Sequence, residues 1–583
     1  MKRENAKRRM DEINEKLTQK YTGQIYRYTG GKPSALNDTT DNVYREYAIF
    51  AYIKDESKRK DYEDEIVYAA DWFEHPHPTG REHRGEADFE AIRLVPLFFE
   101  CPDALTDRMK ASLERFFLVR DFSALYKSEN HSLMYRAARY LASIYYKGRK
   151  FEQFGMTAEE IHATDTAYFK EFYDFRARRG WGEFDSLGYG AEIMLITAIL
   201  AKYTDDEIVR KRAYMTMDII LLDMICDGIN GIYGGAHGRI YEGNALSGAG
   251  GLTNLYDYYF GSPYAKEVVI APLMLLSDYV PAQIVYDIEC MRRFPYENFE
   301  QKHLHSTESW VGAEIRHDYL DMLDGKAICK YTYVDEDYVL GAVNHQDRYP
   351  EESPDRWYAH HQQHEWDLTL CGGRDHKIFS HHPGDPGYHH IHNRWTGDHG
   401  CLCSTHYCNK NTAVSIYNIE KQNQFEYINA CIPVKYFDKR IDDGKYMFLS
   451  YMGRLYISVY FDNGFSETDD ADYKGIEFIS PGRQNCVVVR VEKQSAHASF
   501  EAFIEHIKSL PVVYDRQKQT VEFDGAKVWY HRNSQNGVEN VYPYGFTYNN
   551  PYVKSVWDSG YIECGIPGKK VIYDFIRDRV IAE

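Results

Sequence analysis

The chain is predicted to be a multidomain α+β protein, with an N-terminal (α/α) toroid followed by a C-terminal antiparallel β-sandwich. Three observations predict this. Apolar residues recur with helical spacing through roughly the first 300 positions, and the pattern changes to short alternating runs near Glu308. The helical stretches are joined by loops rich in glycine and polar side chains, as in 180–190 and 227–251.

Helical periodicity runs through Val43–Ile53, Ile66–Phe73, Phe89–Phe99, Ala104–Phe117, His131–Tyr146, Ala158–Phe175, Ala191–Tyr203, Asp206–Met224 and Ala265–Tyr279. No fixed-period repeat supports an open solenoid. Paired helices around a cleft account better for the loops. From Glu308 onward, strands are expected at Ile328–Val334, Tyr338–Val343, Leu368–Cys371, Ala413–Tyr417, Tyr446–Leu449, Leu455–Phe461, Asn485–Val491, Ala498–Phe503, Thr520–Phe523 and Val528–His531. The domains are therefore read as 1–300 and 301–583, with Arg292–Ser309 as the bridge.

Composition narrows the function. The 583 residues carry 69 Lys and Arg against 88 Asp and Glu, a formal charge of -19, which argues against a nucleic-acid binder. An anionic substrate in a locally basic cleft stays compatible with that balance. Aromatic residues reach 15%, with 51 Tyr, a usage that suits a carbohydrate groove as well as a core. No apolar run approaches the ~20 residues of a membrane helix, and the run Ile219–Leu222 stops at Asp223. The first 17 residues are charged and helical in pattern, without a signal core, so a cytoplasmic location is expected. An odd count of 11 Cys without regular spacing fits reduced thiols.

Four constellations could carry chemistry. Glu129-Asn130-His131 opens an amphipathic stretch, either as a helix cap or as polar groups facing a cleft. The segment 180–190 places Trp181, Glu183, Asp185 and Tyr189 between glycines. The segment 233–243 supplies His237, Arg239, Tyr241 and Glu242, that is, an imidazole, an anion clamp, a phenol and a carboxylate. Finally, 11 of the 24 His lie between His360 and His406, a density that suggests a metal or a substrate surface. There, His361 and His364 are candidates for substrate binding, and His364, His382 and Asp385 for metal ligation. Cys401, Cys403, His406 and Cys408 match no zinc-finger spacing. The P-loop, the dinucleotide-binding glycine motif, H-E-x-x-H and G-x-S-x-G are all absent.

A helical half before a β half, with Asn130-His131 and then Tyr189 about 58 residues on, resembles the toroid-plus-sandwich polysaccharide lyases. The heparinase II/III-like and oligoalginate lyase families are the most similar in layout. The stretch from His361 through His364 to Gly373, with His382-Pro383-Gly384 beyond, is similar to their β-domain histidine segment. The resemblance implies an Asn-His pair and a catalytic Tyr in the toroid, a histidine in the sandwich, and in many members a structural zinc. It further implies β-elimination on a uronate-containing oligosaccharide or polysaccharide, with no cofactor required for the chemistry.

That chemistry suits the inventory. Removal of the C5 proton builds negative charge beside the substrate carboxylate. Preorganised donors opposing such charge are worth about 3 kcal/mol each. Asn130 and Arg239 suit that task, while Tyr189, His131, His237 and Tyr241 all suit proton transfer or charge relief. Glu129, Trp181 and Glu183 are read as substrate contacts. The main alternative is a toroidal glycoside hydrolase drawing two carboxylates from Glu129, Glu183, Asp185 and Glu242. A noncatalytic carbohydrate-binding protein is the other. The expected partner is a glycan, with no nucleic acid and no membrane, and the sequence leaves a homo-oligomer open.

Overall fold

The computed structural model describes residues 2–23, 39–71, 87–122, 129–303, 308–311, 314–317, 327–345, 364–383, 395, 403–421, 423–530, 542 and 545–583. The helical region contains α1 (Arg3–Gly23), α2 (Thr39–Lys54), α3 (Arg59–Ala70), α4 (Ala87–Leu94), α5 (Pro96–Glu100), α6 (Asp107–Glu114) and α7 (Glu129–Tyr145). It continues through α8 (Ala158–Arg179), α9 (Tyr189–Tyr203), α10 (Glu207–Cys226), α11 (Glu242–Ser247), α12 (Gly251–Tyr259) and α13 (Gln283–Met291).

Local chemistry sets the ends of the helices that frame the cleft. The Thr157 hydroxyl accepts from the Glu160 amide and the Glu160 carboxylate accepts from the Thr157 amide, a capping box that starts α8. Gly180, at φ 68°, stops α8 and releases the chain into the 180–188 loop. Asp206 caps α10 by accepting from the amides of Ile208 and Val209. The helices pack in sequence, α1 on α2, α4 on α7, α7 on α8 and α9, and α9 on α10 and α12. α12 returns to α1, where Arg9 donates to the carbonyls of Tyr258 at 2.6 Å and Asp257 at 2.5 Å. The helical region thus closes on itself.

Strands follow. Thirteen form one antiparallel sheet and six form a second among the described residues. The larger sheet runs from Ser466–Glu467 to Arg579–Ala582, with Lys377–His381, Trp366–Leu370, Tyr338–His345, Ala327–Val334 and Tyr296–His303 at its centre. The smaller begins with the hairpin Ser404–Asn409 and Thr412–Asn418, which packs on Tyr338–His345. The opposite face of those central strands meets the 228–239 segment of the helical region. Gly234 shows how close that approach is, because a Cβ there would meet Val339 Cβ at 2.8 Å. Covered on both sides, Trp366–Leu370 and Lys377–His381 are buried at every position.

A buried ionic node joins the two regions. The Lys302 ammonium lies 3.1 Å from Asp223 Oδ2 and 3.2 Å from Glu300 Oε2. Lys330 donates to Asp185 and Asp227, and Asn298 donates to Asp227 Oδ1 at 2.8 Å. Burial would raise the Asp185 carboxyl, yet Lys330 and Lys302 hold it down at about 2. With no partner charge these carboxylates would be too costly to bury.

Three expectations need correction. The first sheet strand, Tyr296–His303, lies inside the segment read as a bridge. The region Ala265–Tyr279 holds no α-helix, only the short turn Pro272–Leu276, because Pro272 interrupts the periodic pattern. Ala498–Phe503 is largely the start of a helix, α14 (Phe500–Ser509), which Ser499 caps by accepting from the Ala502 amide. No helix among the described residues is long and apolar enough to cross a membrane.

Candidate active site

Three junctions meet at one end of the helical region: the start of α7, the 180–188 loop with the first residue of α9, and the 234–241 segment before α11. At their centre is the Tyr189 phenol. Its oxygen lies 2.7 Å from the Tyr241 hydroxyl and accepts from Arg239 Nη2 at 3.1 Å. The Arg239 guanidinium carbon is 4.8 Å from the centre of the Tyr189 ring. Tyr189 and Arg239 are half-buried, and Tyr241 is 40% exposed. Burial pushes the Tyr189 phenol well above its usual value, Arg239 opposes the rise, and Tyr241 and Glu183 add to it.

Beneath Arg239 lies Glu183. Its Oε1 is 3.7 Å from Arg239 Nη1, and the backbone of Asn130 donates toward the carboxylate. Burial raises its pKa against the charges of Arg239, His131 and Arg176. Beside it is His131, whose Nδ1 lies 2.6 Å from Asp88 Oδ2. Burial would lower the imidazole, but the Asp88 charge and hydrogen bond, with Glu183, raise it overall. Asn130 is wholly buried next to it at the head of α7.

The backbone that carries these groups is unusual at two positions. Asp185 at φ 52° and Arg239 at φ 49° are left-handed without being glycine. Each is held by its surroundings. Asp185 is fixed by Lys330, while the Arg239 carbonyl accepts from Ser186 Oγ at 3.0 Å.

Several residues singled out in the sequence are placed elsewhere. Glu129 accepts from the amides of Gly182 at 3.0 Å and Glu183 at 2.7 Å and pairs with Arg176, so it anchors the loop from below. Trp181 is 6% exposed and packs edge-on against Phe172, which leaves no open face for a sugar. His237 does not reach the mouth. Its ring is fully buried, Nδ1 lies 2.9 Å from the Asp185 carbonyl, and burial with nearby Lys377 pushes it down to about 3. Its backbone exchanges hydrogen bonds of 2.9 Å and 2.8 Å with His364, so the glycine-rich segment pairs with the β-region like a short strand.

His364 is equally enclosed. Its Nδ1 is 3.0 Å from His381 Nε2 and its Nε2 is 3.0 Å from Asp367 Oδ2, so zinc ligation there would have to break one of these bonds. His382 Nε2 lies 3.1 Å from the Phe425 carbonyl. His361 and Asp385 lie outside the described residues. The one carboxylate grouping with metal-like spacing among the described residues is Asp185, Asp227 and Glu300. Their oxygens come within 4.8 Å of one another, with the Lys330 ammonium paired to all three. The residue at this site that the sequence reading missed is Asp88. A single Asp opening an amphipathic helix looks like any first-turn carboxylate.

No family model matches the chain, and no curated protein matches it in sequence. Solved structures with an overlapping trace include the Streptomyces coelicolor A3 chondroitin AC lyase in complex with chondroitin sulphate. It is 10% identical, with 97% of this chain and 88% of that one aligned, at a TM-score of 0.36. A chondroitinase AC lyase solved in oligosaccharide complexes is also 10% identical, with 99% and 97% aligned, at a TM-score of 0.41. A baculovirus envelope chondroitin lyase aligns over 98% and 91% at 10% identity and a TM-score of 0.21. At such scores the likeness carries no argument about chemistry, which rests on the side chains themselves.

Proposed function

We propose that the protein is a polysaccharide lyase that cleaves a uronate-containing glycan by β-elimination. The observation that carries this reading is the Tyr189 phenol bonded to both Arg239 and Tyr241 at a partly open surface. A phenol beside a guanidinium is a proton carrier whose ionised form has a ready counter-charge. In the proposed step Tyr189 first passes its own proton to solvent past the exposed Tyr241, Arg239 meeting the phenolate charge that burial disfavours, and its oxygen then takes the C5 proton. The C5–H electron pair forms the C4=C5 double bond, the C4–O4 bond breaks, and O4 leaves with a proton from Tyr241. Tyr241 regains its proton from solvent, to which it is exposed. His131, whose imidazole Asp88 and Glu183 raise against burial, and Arg239 oppose the charge that builds on the substrate carboxylate.

The hydrolase alternative finds less support. It needs two available carboxylates flanking the scissile bond. Glu129 is committed to Arg176 and two amides, Asp185 to Lys330, and Glu242 to the Tyr473 hydroxyl. Glu183 lies buried beneath Arg239, paired with it at 3.7 Å and facing the Asn130 amide.

The deciding experiment is a screen of uronate-containing glycans read by the ultraviolet absorbance of the unsaturated product. A new reducing end without that absorbance would assign the hydrolase instead. Neither signal with any glycan would leave a binder.

A further inference from the structure

We propose that Asp88 is a positioning residue for His131, fixing the ring so that its far nitrogen presents an N–H donor to a substrate carboxylate. The proposal rests on the reading of the site as an elimination centre.

The argument begins with the clamp on the ring. Asp88 stands in the first turn of α4, 1% exposed, and its Oδ2 is 2.6 Å from His131 Nδ1. Its other oxygen accepts from the Phe89 amide at 3.1 Å, which removes the freedom of the carboxylate to rotate. The Phe89 ring meets the imidazole edge-on, with centroids 5.3 Å apart. α4 packs directly on α7, so both sides of the contact belong to rigid helices rather than to loops. Rotating His131 would break the Asp88 bond and the ring contact together.

Charge follows from the same geometry. Burial and Arg239 from the 234–241 segment lower the His131 imidazole, while, among the described residues, Asp88 from α4 and Glu183 from the 180–188 loop raise it. Arg93, one turn along α4, is spent on Glu46 and Glu192, and Glu129 on its own helix is spent on Arg176. Against burial, this balance raises the imidazole overall. With Nδ1–H given to Asp88, the Nε2–H is on the opposite side of the ring. The His131 side chain is 12% exposed and that of Asp88 1%.

The test compares wild type, Asp88→Asn and Asp88→Glu, each first shown to melt cooperatively. The His131 imidazole signal, assigned by its loss in His131→Gln, is followed by NMR through a pH titration without substrate. Asp88→Asn should move that titration to lower pH, and Asp88→Glu should restore it. In kcat/KM profiles on a cleaved uronate glycan, the alkaline limb should move the same way. The loss in Asp88→Asn should be about tenfold or more above neutrality and much smaller in mild acid. Sodium glucuronate, added as a probe, should perturb the His131 signal in wild type more strongly than in Asp88→Asn. An unmoved titration, or an equal loss at every pH, would overturn the positioning role. A titration that moves while glucuronate leaves the signal untouched would overturn the carboxylate role. Failure of every glycan to give unsaturated product would count against the lyase reading alone, since the titration and the glucuronate probe need no turnover.

Discussion

His237 and His364 exchange both backbone hydrogen bonds across the boundary between the helical and β regions. Arg239 follows two residues after the pairing and Tyr241 four, so this end of the segment is held by a strand-like contact with the sheet. Additional hydrogen bonds fix the same segment, from the Gly235 amide to Asp367 Oδ1 at 2.8 Å and from the Gly238 amide to the Phe184 carbonyl at 2.7 Å.

Gly234→Ala should therefore damage turnover from a distance. The added Cβ would stand 2.8 Å from Val339 Cβ, closer than carbon contacts allow, and the segment must lift. A fall in kcat of at least about tenfold with a lowered melting temperature is expected, because small misplacements at a reacting centre are costly. Steady-state kinetics beside thermal melts decide it.

Tyr189→Phe should reduce kcat by about 10²–10⁴-fold with KM little changed, since it removes a proton carrier and keeps the ring. Arg239→Ala should weaken KM and kcat together, because in the proposed scheme the substrate carboxylate it would face is present before and during the reaction. If Tyr189→Phe kept full activity, the elimination scheme would be wrong.

Glu183→Gln separates the two enzyme readings. The carboxylate is buried, faces the Asn130 amide and takes no part in the proposed proton transfers, so its loss should reduce elimination by less than about tenfold while weakening the hold on Arg239 and His131. A hydrolase using Glu183 would lose nearly all turnover. The measurement is kcat on the best glycan from the screen.

Asp367 tests stability rather than chemistry. Burial would raise its carboxyl, but Lys377 and His364 hold it far below the ordinary value. A depressed folded-state pKa contributes stability above the unfolded value, about 3.9, and that contribution fades as pH falls toward the folded one. Asp367→Asn should cost about 3–5 kcal/mol near neutrality by stranding Lys377. Below about pH 4 the gap to wild type should narrow. Denaturant titrations at both pH values check it.

Much of this arrangement was legible in the sequence, for identifiable reasons. Tyr189, Arg239 and Tyr241 sit in short glycine-flanked loops between helices, and nothing about helix packing explains that mixture of side chains. The same reasoning failed for His237, because a histidine beside glycines looks like a site residue whether it faces a cleft or another region's sheet. Trp181 and Glu129 failed similarly: burial is decided by α8, whose Phe172 and Arg176 take up the indole and the carboxylate. Asp88 was invisible because its partner lies 43 positions away, a pairing that only the packing of α4 on α7 creates. The strand at Tyr296–His303 was hidden by its charges. Glu300 and Lys302 read as solvent-facing, yet they are spent on the ionic node.

The left-handed backbone at Arg239 has a consequence for folding. A glycine at position 239 would adopt φ 49° without penalty, whereas arginine there costs about 1–3 kcal/mol. Arg239→Gly should thus relieve the turn while stranding the buried Glu183 carboxylate, a loss that outweighs the strain. The turn is therefore held in an unfavourable backbone shape by the side chain it carries.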